Sequence, residues 1–302
     1  VPLFGYAPNP AGTDAYLSTL ERPTLAQAGP DLALDKTRDV FLGQYLLRCD
    51  PLWTRGRQLI GSCCAWGWAL SVDILAATEI CLRNEPESYG GRTLEASIYG
   101  FSRYEARGRT TPAGTSDGSY GGACAKAVTQ FGTLHYGVDY RGTTFTKNSG
   151  TLERQWGNTG VPDELEPFAA EHKVNSAALV KNFSDAARAI QNGYPVAVAS
   201  MAGFSLTLRD GGYLTPAGRW AHCMMWAGLR WKPWPALLCV NSWGDCYGGD
   251  VDKNLPPQFQ RSAGWIRAET VDAMCAGEDS FALSGFAGFP PRKLESWTGG
   301  AL

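Results

Sequence analysis

A thiol, an imidazole and a side-chain amide stand in that order along this chain. Each has a short setting of its own: Gly61-Ser62-Cys63, Trp220-Ala221-His222 and Asn241-Ser242-Trp243-Gly244. The chemistry open to such a set is nucleophilic attack. A free thiol titrates near pH ~8.5, and only the thiolate attacks. An imidazole beside it can hold the proton as an ion pair, and an amide on the far ring nitrogen can fix the tautomer without titrating. Cys63, His222 and Asn241 would then act as nucleophile, base and orienter.

The competitors for each role are few. The chain has three histidines. His135 closes a helical pattern, His172 sits between Glu171 and Lys173 in a polar loop, and His222 alone opens an apolar strand-like run, Cys223-Met224-Met225-Trp226-Ala227. Asn241 taken alone reads equally as a turn residue. Trp243 favours the catalytic reading, because an indole over an Asn–His hydrogen bond would exclude water and strengthen it. Residues Cys63 to Leu82 read as one helix, apolar on both faces at its start, as a helix buried between two layers would be. Ser62 is its expected cap, and Cys63 falls in the first turn, where free N–H groups and the helix dipole favour a thiolate.

Together these blocks resemble the papain-like cysteine peptidases, in that family's order of Cys, His and Asn. Gly61-Ser62-Cys63-Cys64-Ala65-Trp66 is similar to its Gly-Ser-Cys-Trp-Ala-Phe run, and Asn241-Ser242-Trp243-Gly244 matches its Asn-Ser-Trp-Gly block. Tyr120-Gly121-Gly122-Ala123 resembles its Asn-Gly-Gly-Tyr turn, and Gly264-Trp265-Ile266-Arg267 its Gly-Tyr-Ile-Arg strand. The resemblance runs from about residue 55 to about residue 287, with the Cys and Asn blocks as its specific parts. Cys63 as nucleophile keeps Gly61, Ser62, Ala65 and Trp66 in register, whereas Cys64 breaks all four. Gln58 is the implied oxyanion donor; it lies five residues before Cys63 where the family has six, which a shortened loop would reconcile. Loss of one such donor typically costs about 2.7–4 kcal/mol. Gly121 and Gly122, with Ala221 and Cys223 beside the histidine, are implied to contact an extended substrate, and glycines there would let its backbone approach closely. Ser62 and Trp243 are implied to support the site.

The remaining composition bounds the reading. A net charge of −2 gives no electrostatic reason to expect nucleic acid or an anionic membrane as partner. No run looks long and apolar enough for a membrane span. The nine cysteines make no CxxC pair and no zinc-finger spacing, so no metal or cofactor is implied. Their odd number leaves at least one thiol unpaired; most read as reduced, buried side chains.

Behind the motifs the pattern divides into an N-terminal extension over 1–45, a helical lobe over 46–160 carrying the nucleophile, and a strand-rich lobe over 161–302 carrying His222 and Asn241. A second helix is expected from Gly122 to about Tyr136, and a short one over Ser184–Gln191. Strands are expected over Pro195–Met201, Ala221–Leu229, Ala236–Asn241 and Gly264–Ala268. The fold class is α+β, and the resemblance implies that the second lobe is a β-barrel facing the helical lobe across a cleft. The first 38 residues are rich in Pro, Gly, Ala and Asp without a sustained period, and lack the helical pattern of an inhibitory pro-segment. They read as a loosely packed extension or as an arm for an assembly partner. With no basic or apolar leader in Val1-Pro2-Leu3-Phe4, an intracellular or virion-associated location is expected. The function expected is a cysteine endopeptidase acting on an extended polypeptide through an acyl-enzyme. The alternatives are a papain-fold component of a viral or phage particle with little turnover, and a thiol amidase or acyl transferase on the same triad.

Overall fold

The computed structural model describes residues 3–83, 89–110 and 116–299. Its centre is the helix α4 (Cys63–Arg83), which follows α1 (Pro10–Leu17), α2 (Leu25–Ala28) and α3 (Gly43–Cys49). By length and composition Cys63–Leu82 would pass for a membrane span. Here it is a core helix: Trp68, Ala69, Leu70, Ile74, Leu75 and Ala77 are all buried. Burying apolar side chains on every face contributes roughly 1.5–3 kcal/mol for each large one, which explains the absence of a polar stripe. Of the helices that follow, α5 (Glu95–Arg103) packs against α4, α6 (Gly121–Lys126) and α7 (Gly150–Thr159). The expected helix to Tyr136 stops early. After Lys126 it widens into one π turn over Ala127–Phe131 and ends at Gly132, whose φ of 92° reverses the chain.

The sheet is built from β1 (Val40–Phe41), β2 (Ser176–Leu179), β3 (Val196–Phe204), β4 (Pro216–Arg230), β5 (Ala236–Val240), β6 (Ala263–Arg267) and β7 (Phe281–Ser284). Their order is β6-β5-β4-β3-β7-β2, with β1 pairing β4, and every pairing in it is antiparallel. The short helix before β3 begins one residue earlier than expected, running over Phe183–Gln191, and is capped by Asn182. The α+β reading stands, but the β-barrel lobe does not: the sheet is open. Its edge strands β2 and β6 never meet, because other segments cover them. Leu179 N–H donates to Pro23 O (2.8 Å), and Trp265 N–H donates to Gly212 O (2.8 Å) while Leu214 N–H donates to Trp265 O (2.9 Å). Covering an edge satisfies the same backbone groups that closure would.

Residues 3–45 are packed, not loose. Tyr6, Tyr16, Leu25, Leu32, Val40 and Phe41 belong to the main core, and Phe41 stands edge-on to Phe259 at 5.1 Å.

Candidate active site

Each wall of the cleft brings one half of the site. Cys63 opens α4 and is fully buried. From β4, Cys223 N–H donates to the Cys63 sulfur at 3.3 Å, and the neighbouring His222 is also fully buried. Asn241 follows the end of β5. Its Oδ1 lies 2.9 Å from His222 Nε2 and also accepts from Ser242 N–H at 2.7 Å, while its Nδ2 donates to the Tyr247 hydroxyl at 3.0 Å. The amide is therefore oriented by its own partners, and Oδ1, an acceptor, requires the imidazole proton on Nε2. Nδ1, the other ring nitrogen, is buried and has no hydrogen-bond partner among the described residues. Trp243 stacks on the imidazole with centroids 4.4 Å apart and planes inclined by 26°, closing that face to water.

Electrostatics separate the two adjacent cysteines. Burial alone would raise the Cys63 thiol. The Cys64 thiol, the His222 imidazole and the Cys223 N–H outweigh it and hold Cys63 well below the usual thiol range. Cys64 points the other way, toward Ser119 O (3.1 Å) and Gly5 O (3.6 Å), and burial with its thiol neighbours pushes it well above that range.

Ser62 adjoins Cys63, but its hydroxyl donates to Glu153 Oε2 (2.9 Å), while Trp66 Nε1 donates to Glu153 Oε1 (2.9 Å). Burial and the nearby Glu95 push the Glu153 carboxyl up to about 8. Sequence reasoning missed Glu153; a lone acid on an amphipathic helix carries no signal of what it meets ninety residues away. Gln58 is almost fully buried, anchored by Ser242, whose hydroxyl donates to Gln58 Oε1, and by Gln58 N–H to Ser242 O (2.9 Å). Its Nε2 is free to donate to Ile60 O (3.0 Å) and to Leu3 O (3.2 Å).

That last bond reveals the occupant of the cleft. Residues 3–7 lie across the site as an extended strap paired on both walls. On the histidine wall, Gly5 N–H and Tyr6 N–H donate to Ala221 O at 3.3 and 3.0 Å. On the helical wall, Ser119 N–H donates to Gly5 O (2.9 Å) and Ala7 N–H to Ser119 O (2.8 Å), in a parallel bridge. Trp243 Nε1 donates to Leu3 O at 3.0 Å, and the Phe4 ring stands edge-on to His222 at 6.1 Å.

The structure thus brings Cys63, His222, Asn241, Gln58, Trp243 and Ala221 together. It does not bring Gly121 and Gly122 to the extended chain. Their N–H groups donate to the carboxylate of Asp279 (2.7 and 2.8 Å), and Ser119 is the residue that pairs with the strap. The side chain of Cys223 turns inward to Met224 O (3.7 Å) and only its N–H reaches the site.

No protein-family model matches the sequence, and no curated protein matches it either. By structure it is similar to xylellain, a cysteine protease from Xylella fastidiosa, at 16% identity over 93% of this chain and 91% of that one, with a TM-score of 0.54. It is also similar to procathepsin B S9 from Trypanosoma congolense, at 11% identity over 93% of this chain and 85% of that one, with a TM-score of 0.53. The fold is that of the papain-type cysteine proteases.

Proposed function

We propose that this chain is a cysteine endopeptidase that cleaves an extended polypeptide. The observation that carries the reading is the buried His222–Asn241 pair, held beside the Cys63 sulfur by the N–H of the next residue, Cys223, which donates to that sulfur. The Cys63 thiolate attacks the scissile carbonyl carbon, and its electron pair passes to the carbonyl oxygen. Gln58 Nε2 donates to that oxygen, a role supported by its bond to the peptide carbonyl of Leu3. As the tetrahedral adduct collapses, the imidazolium of His222 protonates the leaving amine. Water, deprotonated by the same imidazole, then releases the acyl group and regenerates the thiol. The strap supports a peptide as substrate: a peptide backbone already pairs with Ala221 O and Ser119. It also means that turnover requires residues 3–7 to withdraw.

The test is alkylation by iodoacetamide at pH 6–7 followed by peptide mapping. Cys63 is expected to react fastest of the nine thiols, since only a depressed pKa supplies thiolate there. Rapid modification of Cys64 with Cys63 untouched would remove the assignment.

A further inference from the structure

Away from the cleft, a second pair of thiols meets at the opposite end of the nucleophile helix. Cys49 is the last residue of α3, Cys81 lies in the final turns of α4, and their sulfurs are 3.9 Å apart. Neither has a strong competing partner: Cys49 Sγ is 4.0 Å from Ala77 O and Cys81 Sγ 3.9 Å from Tyr45 O. Both are half-buried, as is Cys246, so a small reagent can reach them, whereas Cys63, Cys64, Cys124, Cys223, Cys239 and Cys275 are buried. A disulfide needs the sulfurs at about 2.05 Å, and the remaining gap of about 2 Å is within reach of side-chain rotation on two helices already in contact.

We propose that Cys49 and Cys81 are a site of reversible oxidation, closed to an intramolecular disulfide by a low-molecular-weight disulfide such as oxidised glutathione. One thiolate attacks a glutathione sulfur, breaking the S–S bond and releasing one glutathione thiolate. The second thiol, losing its proton, then attacks the protein-bound sulfur and releases the second glutathione. The protein dithiol is oxidised by two electrons, the glutathione disulfide is reduced by two, and the two protons lost by the protein thiols pass to the two glutathione thiolates. The covalent loop runs from Cys49 to Cys81 and encloses both Gln58 and Cys63, so oxidation ties together the segment that carries the nucleophile. Burial and the neighbouring Cys81 push the Cys49 thiol up to about 11, which makes closure faster as pH rises through the alkaline range. The inference does not depend on the peptidase reading.

The experiment uses the full chain carrying Cys63→Ala, so that the low-pKa thiol cannot intervene. The protein is incubated with oxidised glutathione at pH 8, quenched, alkylated and mapped by mass spectrometry. The expected result is loss of two alkylatable thiols, a Cys49–Cys81 cross-linked peptide, and a thermal midpoint raised by several degrees. Dithiothreitol should reverse all three. Cys49→Ser and Cys81→Ser should each abolish the cross-link and the thermal shift, and Cys49→Ala serves where the serine variant does not fold. Retention of both thiols, stable glutathione adducts that never resolve, or a cross-link between other cysteines would overturn the proposal.

Discussion

A single methyl group at Gly5 should open this protein. A Cβ there would lie 1.8 Å from Gly61 O and 2.3 Å from Gly61 C, far inside any tolerable contact. Gly61 stands two residues before Cys63 and cannot retreat without moving α4, so the strap must lift instead. Lifting forfeits the bonds from Gly5 N–H and Tyr6 N–H to Ala221 O and from Ser119 N–H to Gly5 O. At about 1 kcal/mol net for each, Gly5→Ala destabilises the seated strap by about 3 kcal/mol, which raises the open fraction by about a hundredfold. The assay is the second-order rate of Cys63 alkylation at pH 7, with turnover of a quenched-fluorescent extended peptide measured alongside. Both should increase by up to that factor, with little loss of thermal stability, because α1 and α2 keep their own contacts. Equal alkylation rates in Gly5→Ala and the parent protein, with Cys63 labelled in both, would refute the gating role of residues 3–7.

Two further outcomes concern the site and its support. His222→Ala should lower kcat/KM by about 10²–10⁴-fold and slow Cys63 alkylation, because both the proton acceptor and the charge that holds the thiolate are lost; Asn241→Ala should cost less, and steady-state kinetics with peptide mapping separates the two. Glu153 has its folded pKa raised, to about 8, so its neutral form favours the folded state. That contribution is complete below about pH 4.3 and is lost as pH rises through 8. Urea unfolding should show stability falling by on the order of 3–4 kcal/mol between pH 4.5 and 7, and Glu153→Gln should flatten that slope.

The buried His222–Asn241 pair and the thiol of Cys63 near it were legible because thiol chemistry of this kind needs three residue types in particular settings, and each of the three had few rivals. The central helix and four of the strands were legible from apolar runs alone. The strap was not. Residues 3–7 are held by main-chain bonds to Ala221 and Ser119, and backbone pairing of that kind leaves no trace in side-chain pattern. Gly121 and Gly122 were expected to admit a substrate backbone, but the groups that approach them belong to this chain: a Cβ on Gly121 would lie 2.1 Å from the Asp279 carbonyl oxygen, and one on Gly122 2.7 Å from Thr13 Cα. Barrel closure failed for a related reason. Strands announce themselves by composition, but whether an edge meets another strand or a covering loop such as Gly212–Leu214 is decided by residues far away in sequence.

The anchoring of α1 sets the terms on which any substrate must compete. Thr13 Oγ1 donates to the Asp279 carboxylate at 2.7 Å, the same carboxylate that accepts from Gly121 and Gly122, so the chain is tied to the cleft wall only a few residues beyond Ala7. A lifted strap therefore does not diffuse away. It hovers at an effective concentration of the order of millimolar, as segments on short tethers do. An extended peptide of micromolar concentration and equal intrinsic affinity would be excluded about a thousandfold by numbers alone. Severing the chain between Ala7 and Thr13 would turn this intramolecular competitor into a dilute one, without altering a single contact at Cys63.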